Sequence, residues 1–276
     1  NYKFIKEDVK NVDLLKDLIK DCDQIVATAA KIGGISYFHE YAYDLISENE
    51  KIISSTFDAA IHAFKNCKLK KINVLSSSMV FENTNIFPTS EGDQLICAPP
   101  SSTYGFQKLS TEYFAKGAWE QYGLPYTIIR PFNCIGIGEK KAVGDKEIKS
   151  GNIKLAMSHV IPDLVQKILK NQYPLRILGD GSQIRHYTYG GDLAHGIRLC
   201  IENDSSINED FNLSINKSTS VIELAELIWK KIKPEKEFKY ISEKSYKYDV
   251  NKRIPNVNKA KKILGFEANT TLSAAL

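Results

Sequence analysis

Short apolar runs alternate with longer amphipathic stretches through the first half of the chain. This is the pattern of buried strands joined by crossover helices in a parallel sheet. Residues 24–30 and 71–76 read as buried strands, the second carrying Ile72, Val74 and Leu75. Between them, residues 45–65 place apolar side chains at helical spacing. Residues 103–122 form a further amphipathic helix, and residues 126–131 a third strand whose end is set by Pro131. Ligands of open α/β sheets lie beyond the carboxyl ends of the strands, so chemistry is expected in the loops that follow these runs.

The second half reads differently. Residues 136–151 are rich in Gly and Lys without clear periodicity, which predicts a flexible loop and a change of domain. Beyond it, residues 159–170 look helical, 175–178 form a short strand, and Gly179-Asp180-Gly181 a tight turn. Residues 221–231 carry a clean apolar stripe, and a last helix over 258–264 stops at Gly265. There is no internal repeat and no low-complexity segment.

Composition narrows the class. The chain has 276 residues, 43% of them apolar, enough for a sizeable core. Its net charge of +4 is scattered, with no long basic run, so nucleic acid is not the expected partner. Five cysteines spaced far apart suit a reducing compartment better than a disulfide scaffold or a metal site. No apolar run approaches the roughly 18–20 residues that span a bilayer, and the opening segment is mixed and polar. A cytoplasmic protein without membrane or metal is expected.

Tyr104 and Lys108 stand four apart on a predicted helix and project from one face. An ammonium beside a phenol stabilises phenolate and brings the tyrosine toward the range of a general base. A solvent-facing pair has the same spacing, so context decides. The strand over 72–75 runs into Ser76-Ser77-Ser78, placing hydroxyls at a strand's carboxyl end, where they either meet a substrate hydroxyl or form a turn.

Taken in order, Ser77-Ser78-Met79-Val80-Phe81, Tyr104 to Lys108, Arg130-Pro131-Phe132-Asn133, and Arg185-His186-Tyr187 before Asp192-Leu193-Ala194 resemble the extended short-chain dehydrogenases, the NAD-dependent epimerase and dehydratase family. The resemblance implies a Rossmann-type doubly wound parallel α/β sheet with a smaller α/β substrate-binding domain. Residues 1–133 with about 183–204 would form the cofactor domain, and about 134–182 with 205–276 the substrate domain.

It implies roles as well. Tyr104 would take the sugar hydroxyl proton, Lys108 hold the nicotinamide ribose and lower the tyrosine pKa, and Ser77 position the hydroxyl. Asp8 and Val9 would touch the adenine, with Ala29, Ala30 and Lys31 lining phosphates and ribose, Asn49 nearby, and Pro131 on the cofactor side. Ser78, Met79, Asn133, His159, Val160 and Arg185 fall on the nucleotide-diphosphate-sugar side, with Arg253 a second phosphate clamp, since an Arg fork binds phosphate oxygens bidentately. Val160 is equally readable as core, and Arg253 as a solvated base in a lysine-rich tail. His159, in Ser158-His159-Val160-Ile161-Pro162, resembles the GDP-fucose synthase segment whose histidine acts as an acid.

The chain departs from the family pattern in two places. The family's first strand, Gly-rich turn and following helix have no counterpart: residues 1–4 resemble its third strand, and the chain is read as N-terminally incomplete. The expected cofactor is therefore NAD with NADP left open, because the residue that chooses between them is missing. Ser78-Met79 also replaces the Asp-Glu of 4,6-dehydratases, the Glu of decarboxylases and the Cys of GDP-fucose synthases, and a thioether moves no proton. The simplest chemistry left is C4 epimerisation through a transient 4-keto sugar. The alternatives are a nucleotide-sugar 4-dehydrogenase or ketoreductase, GDP-fucose synthase-like, and a non-catalytic cofactor-binding regulatory subunit. Helices over 45–65 and 103–122 resemble those of a four-helix dimer interface, which predicts a homodimer. The 140–154 stretch has no counterpart in the pattern.

Overall fold

The run Lys71–Leu75 is buried along almost its whole length, the condition of a strand covered on both faces. A computed structural model describes residues 3–139, 147–151, 153–247 and 249–276. Its first half runs α1 (Val12–Ile19), β1 (Gln24–Ala27), α2 (Ile35–Glu40), α3 (Ala42–Asn66), β2 (Lys71–Leu75), α4 (Thr103–Tyr122), β3 (Tyr126–Pro131) and β4 (Cys134–Ile135). Then follow β5 (Glu147–Ser150), β6 (Ile153–Ala156), α5 (Val160–Leu169), β7 (Leu175–Leu178), β8 (Ile184–Arg185), β9 (Thr188–Tyr189) and α6 (Gly190–Glu202). The chain closes with β10 (Glu209–Leu213), β11 (Thr219–Ser220), α7 (Val221–Ile232), β12 (Tyr240–Glu243), α8 (Asn258–Leu264) and α9 (Leu272–Ala275).

The main sheet has the order β1-β2-β3-β10, and every pair in it is parallel. Helices cover both faces. On one, Ile53, Phe57, Ala60 and Ala63 of α3 and Ala115 and Ala118 of α4 pack on Ile72, Val74 and Ile128. On the other, Leu193 and Cys200 of α6 and Ala260 and Leu264 of α8 pack on Ile129, Phe211 and Leu213. This is the three-layer doubly wound arrangement, in which non-directional apolar burial holds the sheet between its helices. A separate core gathers Leu164 and Ile168 of α5, Leu175 and Ile177 of β7, and Leu224, Ile228 and Trp229 of α7. It supports the parallel pair β7–β12.

Several expectations change in the structure. The first strand stops at Ala27, and residues 28–30 leave the sheet as a loop. The helix over 45–65 begins earlier, at Ala42. The loop expected over 136–151 contains a strand, because β5 pairs antiparallel with β6; residues 140–146 lie outside the described residues. Lys3 and Phe4 are in no strand, while Asn1 and Tyr2 lie outside the described residues. The boundary near 205 also moves. β10 pairs with β3, so residues 209–213 belong to the main sheet.

Candidate active site

β2 ends at Leu75, and the three serines that follow do different work. Ser76 donates its hydroxyl to Glu112 Oε1 at 2.5 Å. Glu112 in turn accepts two bonds from Arg130, at 2.7 and 2.8 Å, and Arg130 also meets Asp210 at 2.7 Å. This buried network ties β2, α4, β3 and β10 together beneath the site, and removing one partner from such a pair costs about 3–5 kcal/mol. Ser77 caps the 3-10 turn Ser78–Phe81, accepting from Met79 N at 3.2 Å, and also faces the cavity. The turn reading of Ser77 holds, and its side of the turn also lines the cavity.

Tyr104 and Lys108 come from the first two turns of α4, which starts at the Ser102 N-cap and ends at Gly123 in the left-handed region, φ 73°. The Ser77 side chain lies near enough to the Tyr104 phenol to favour its ionised form. The Phe38 ring of α2 stacks on Tyr104, centroids 4.5 Å apart and planes at 15°. Lys108 Nζ donates to Leu75 O at 2.9 Å, which aims the ammonium at the carboxyl end of β2.

The electrostatics correct one expectation. Burial raises the Tyr104 pKa above its ordinary value, partly offset by the Ser77 side chain and the charge of Arg253. Burial also pushes the Lys108 ammonium down to about 8. In this structure the cation acting on the phenol is Arg253, and desolvation outweighs it.

Asp8, Val9, Ala29, Ala30 and Lys31, expected on the cofactor side, line one cleft. Ala30 also lines the cavity that holds Ser77, Tyr104 and Lys108, so the two spaces meet there. Asn49 lines neither space. It is buried in α3, where its side chain accepts from Lys31 N at 2.6 Å and donates to Lys31 O at 2.9 Å, pinning the loop that forms the junction. Pro131 reaches the cavity from the end of β3.

The cavity that holds Ser77, Tyr104 and Lys108 measures about 410 Å³ and continues past Ser78, Met79 and Asn133 to α5 and β7. Asn133 holds φ 39°, which turns the chain sharply after β3. Val160 lines the cavity and also packs on the α5 core. His159 precedes α5 with Nδ1 at 2.9 Å from Glu139 and Nε2 at 2.9 Å from Gly33 O, so both nitrogens face acceptors. Gly33 and Gly34 fit there for steric reasons: a Cβ at Gly34 would sit 2.1 Å from Ser158 O. Arg185 pairs with Asp249 at 3.2 Å. Arg253 is no solvated tail residue; it lines the cavity, and burial lowers its pKa to about 9.

Four buried polar atoms on this cavity have no partner among the described residues: Asn133 Oδ1, Gln183 Oε1, Tyr187 Oη and Arg253 Nε. Buried polar groups are nearly always satisfied within a protein, so a cluster of exceptions on one concave wall describes the complement of a polar ligand. Gln183, Tyr187, Glu139 and Asp249 were not anticipated as site residues. Tyr187 belongs to the Arg185-His186-Tyr187 motif, a signal the sequence offered, whereas Gln183 lies just outside it and Asp249 stands in a lysine-rich tail that offered none. Among the described residues, no group of three or more His, Cys, Asp or Glu could hold a metal ion, and no helix is long and apolar enough to cross a membrane.

Residues 1–214 match the model of the NAD dependent epimerase/dehydratase family. An uncharacterized UDP-glucose epimerase of Bacillus subtilis (strain 168) is 26% identical over 280 residues, covering 100% of this chain and 78% of the relative. The GDP-L-fucose synthase of Escherichia coli (strain K12) is 26% identical over 222 residues, covering 75% of this chain and 64% of the relative. Among solved structures, the UDP-glucose 4-epimerase of Thermotoga maritima with UDP-glucose is similar with a TM-score of 0.81 and 25% identity, over 100% of this chain and 82% of that one.

Proposed function

Because the chain belongs to the NAD dependent epimerase/dehydratase family, we propose that it is a nucleotide-sugar epimerase that inverts C4 by transient oxidation to a 4-keto sugar. The observation that carries this reading is the row of four unpartnered buried atoms beside Ser77, Tyr104 and Lys108. A diphosphate with sugar hydroxyls supplies acceptors for Arg253 and Tyr187 and donors for Asn133 and Gln183. Asp8 and Val9 would hold the adenine of NAD, Ala29 to Lys31 its ribose and phosphates, and Lys108 the nicotinamide ribose, an extended ligand that the junction at Ala30 suits. The nicotinamide supplies, when bound, a reversible hydride acceptor whose oxidised ring is cationic.

The chain's own residues then move one proton. Ser77 receives the sugar hydroxyl and orients it toward Tyr104 Oη, which as phenolate takes the proton on oxidation, becoming phenol, and returns it on reduction. Met79, buried beside them, exchanges no proton, so nothing at that position assists water loss. Arg185 and Arg253 anchor the diphosphate while the keto sugar turns over to present its other face. The sheet with its loops would serve the cofactor, and the α5, β7 and α7 part the sugar nucleotide.

A second reading, a nucleotide-sugar ketoreductase, is favoured by one observation: His159 reaches the cavity oriented by Glu139. The two separate in one assay, a panel of UDP-, GDP-, CDP- and dTDP-sugars followed by NMR and by nicotinamide absorbance. A new C4 epimer without net reduced cofactor supports the epimerase; net change in the cofactor with a single stereochemistry replaces it with the ketoreductase. We further propose a homodimer through α3 and α4, and a cytoplasmic location, supported by five cysteines that are all free.

A further inference from the structure

With its sugar at Ser77, Tyr104 and Lys108 and its diphosphate at Arg185 and Arg253, a nucleotide sugar leaves its base to the part of the cavity formed by α5 and β7. The walls there are Val160, Leu164, Ile177, Leu178 and Val221, an apolar slot suited to the faces of a planar ring. Apolar walls hold every base alike, since each has two flat faces. Discrimination needs polar groups at the edge of the ring.

Two charged side chains stand among these walls. Asp163 and Lys167 lie one turn apart on α5, both line the cavity, and they form an ion pair at 2.8 Å. Lys167 is 2% exposed, and it also donates to Arg176 O of β7 at 3.0 Å. Burying a charge pair is costly, and an apolar pair of similar volume would hold α5 on β7 as well or better, so stability alone gives no reason for it. The pair is also unsaturated. Asp163 Oδ1 meets no donor among the described residues, and of the three N–H groups of the ammonium, Asp163 and Arg176 take up two. Burial raises the Asp163 pKa, with Lys167 opposing it, so the carboxylate gains from a further donor. The other acids on the cavity are engaged, Asp249 with Arg185 at 3.2 Å and Glu139 with His159 at 2.9 Å.

We propose that Asp163 and Lys167 read the edge of the nucleotide base and select guanine, so that the substrate is a GDP-sugar. The inference rests on the nucleotide-sugar reading above. Guanine presents one acceptor, O6, beside two donors, N1–H and the 2-amino group, and a carboxylate with an adjoining ammonium supplies the matching acceptors and donor. Uracil and thymine carry a single N–H between two carbonyl oxygens, which a carboxylate repels. Cytosine and adenine give Asp163 one amino donor where guanine gives two.

The test is calorimetric titration of GDP, inosine diphosphate and UDP, each with NAD present, into the full chain and its Asp163→Asn variant. Inosine diphosphate differs from GDP only in lacking the 2-amino group. The parent should bind GDP about ten-fold or more tightly than either of the others, the scale of a hydrogen bond to a charged group. In Asp163→Asn the GDP affinity should fall by about that factor, to the level of inosine diphosphate, while UDP binding does not weaken. A merely structural role for the α5 ion pair would lower all three affinities together. The comparison of ligands on the parent needs no substitution, so it decides the matter even where the variant fails to fold. UDP or inosine diphosphate bound as tightly as GDP by the parent overturns the proposal, as does equal weakening of all three by Asp163→Asn, or a parent that binds none of them. Selective GDP binding without turnover of any GDP-sugar sinks the epimerase reading alone, and turnover of a UDP-sugar without preference for GDP sinks this one alone.

Discussion

Burial acts in opposite directions on the two proton-carrying groups of α4. It raises the Tyr104 phenol and lowers the Lys108 ammonium to about 8, favouring the neutral form of each. Replacing Tyr104 by Phe removes the hydroxyl while keeping the ring stacked on Phe38, so the fold should persist while kcat falls about 10²–10⁴-fold. Unchanged turnover by NMR assay would remove Tyr104 from the proton path. Lys108 makes a pH prediction. Its ammonium is the form that donates most strongly to a ribose hydroxyl, so kcat should decline as pH rises through about 8. Lys108→Arg, whose guanidinium does not deprotonate, should move that limb upward. Stability runs the other way. A folded pKa of about 8, below the ordinary 10.5, means that Lys108 contributes most above the unfolded value and least once pH has fallen through 8. Melting curves of the parent against Lys108→Met should therefore shift in the parent's favour between those pH values. Ser77, Tyr104 and Lys108, which share one cavity, stood out in the sequence because each sits in a short local pattern. Asp249 did not, since its partner lies elsewhere in the chain: it meets Arg185 across 64 residues.

One asparagine decides how α3 serves the cofactor side. Asn49 lies inside a 25-residue helix, yet its amide is spent on the backbone of Lys31. Asn49→Ala leaves that N–H and C=O without their partner and should cost about 1–3 kcal/mol. The Kd for NAD, by calorimetry, should rise several-fold, whereas UDP and GDP affinities should hardly change. Equal losses on both sides would mean that Asn49 merely supports the whole fold. Element boundaries were legible where the chain carries its own stop signals. Ser102 and Gly123 bracket α4, Pro131 ends β3, and Gly265 at φ 68° ends α8, and all three were read to the residue. β10 was missed because it opens on two acids, Glu209 and Asp210, and carries no strand-like apolar run. In the fold they are held by Lys259, at 2.8 and 2.7 Å, and Asp210 also by Arg130. β12, with Tyr240 and Ile241 partly exposed, has no alternation to betray it, and β5 with β6 pair only with each other. Tertiary partners make these strands, and a local pattern does not carry that information.

At the scale of the whole molecule, α4 has two faces with different obligations. Tyr104 and Lys108 turn toward the cavity, whereas Phe106, Tyr113 and Trp119 are 49%, 59% and 41% exposed, with Tyr43 of α3 at 77%. Single exposed aromatics are ordinary, but several on adjoining helices are the kind of surface that a second copy covers. If that copy is the same pair of helices, the contact is isologous: α3 and α4 meet their twofold mates, and each aromatic is used twice. The proposed dimer predicts light-scattering masses of twice the 31.1 kDa chain at micromolar concentration. A doubly substituted Phe106→Glu, Tyr113→Glu chain should run as a monomer, since charges placed at the centre of a twofold contact face their own copies. Because these side chains point away from Ser77 and Lys108, the monomer should keep its diphosphate affinity and lose melting temperature instead. A parent chain already monomeric under those conditions would leave the aromatics uncovered and remove the case for the four-helix contact, while the cavity, which is lined by residues of one chain, would stand unaffected.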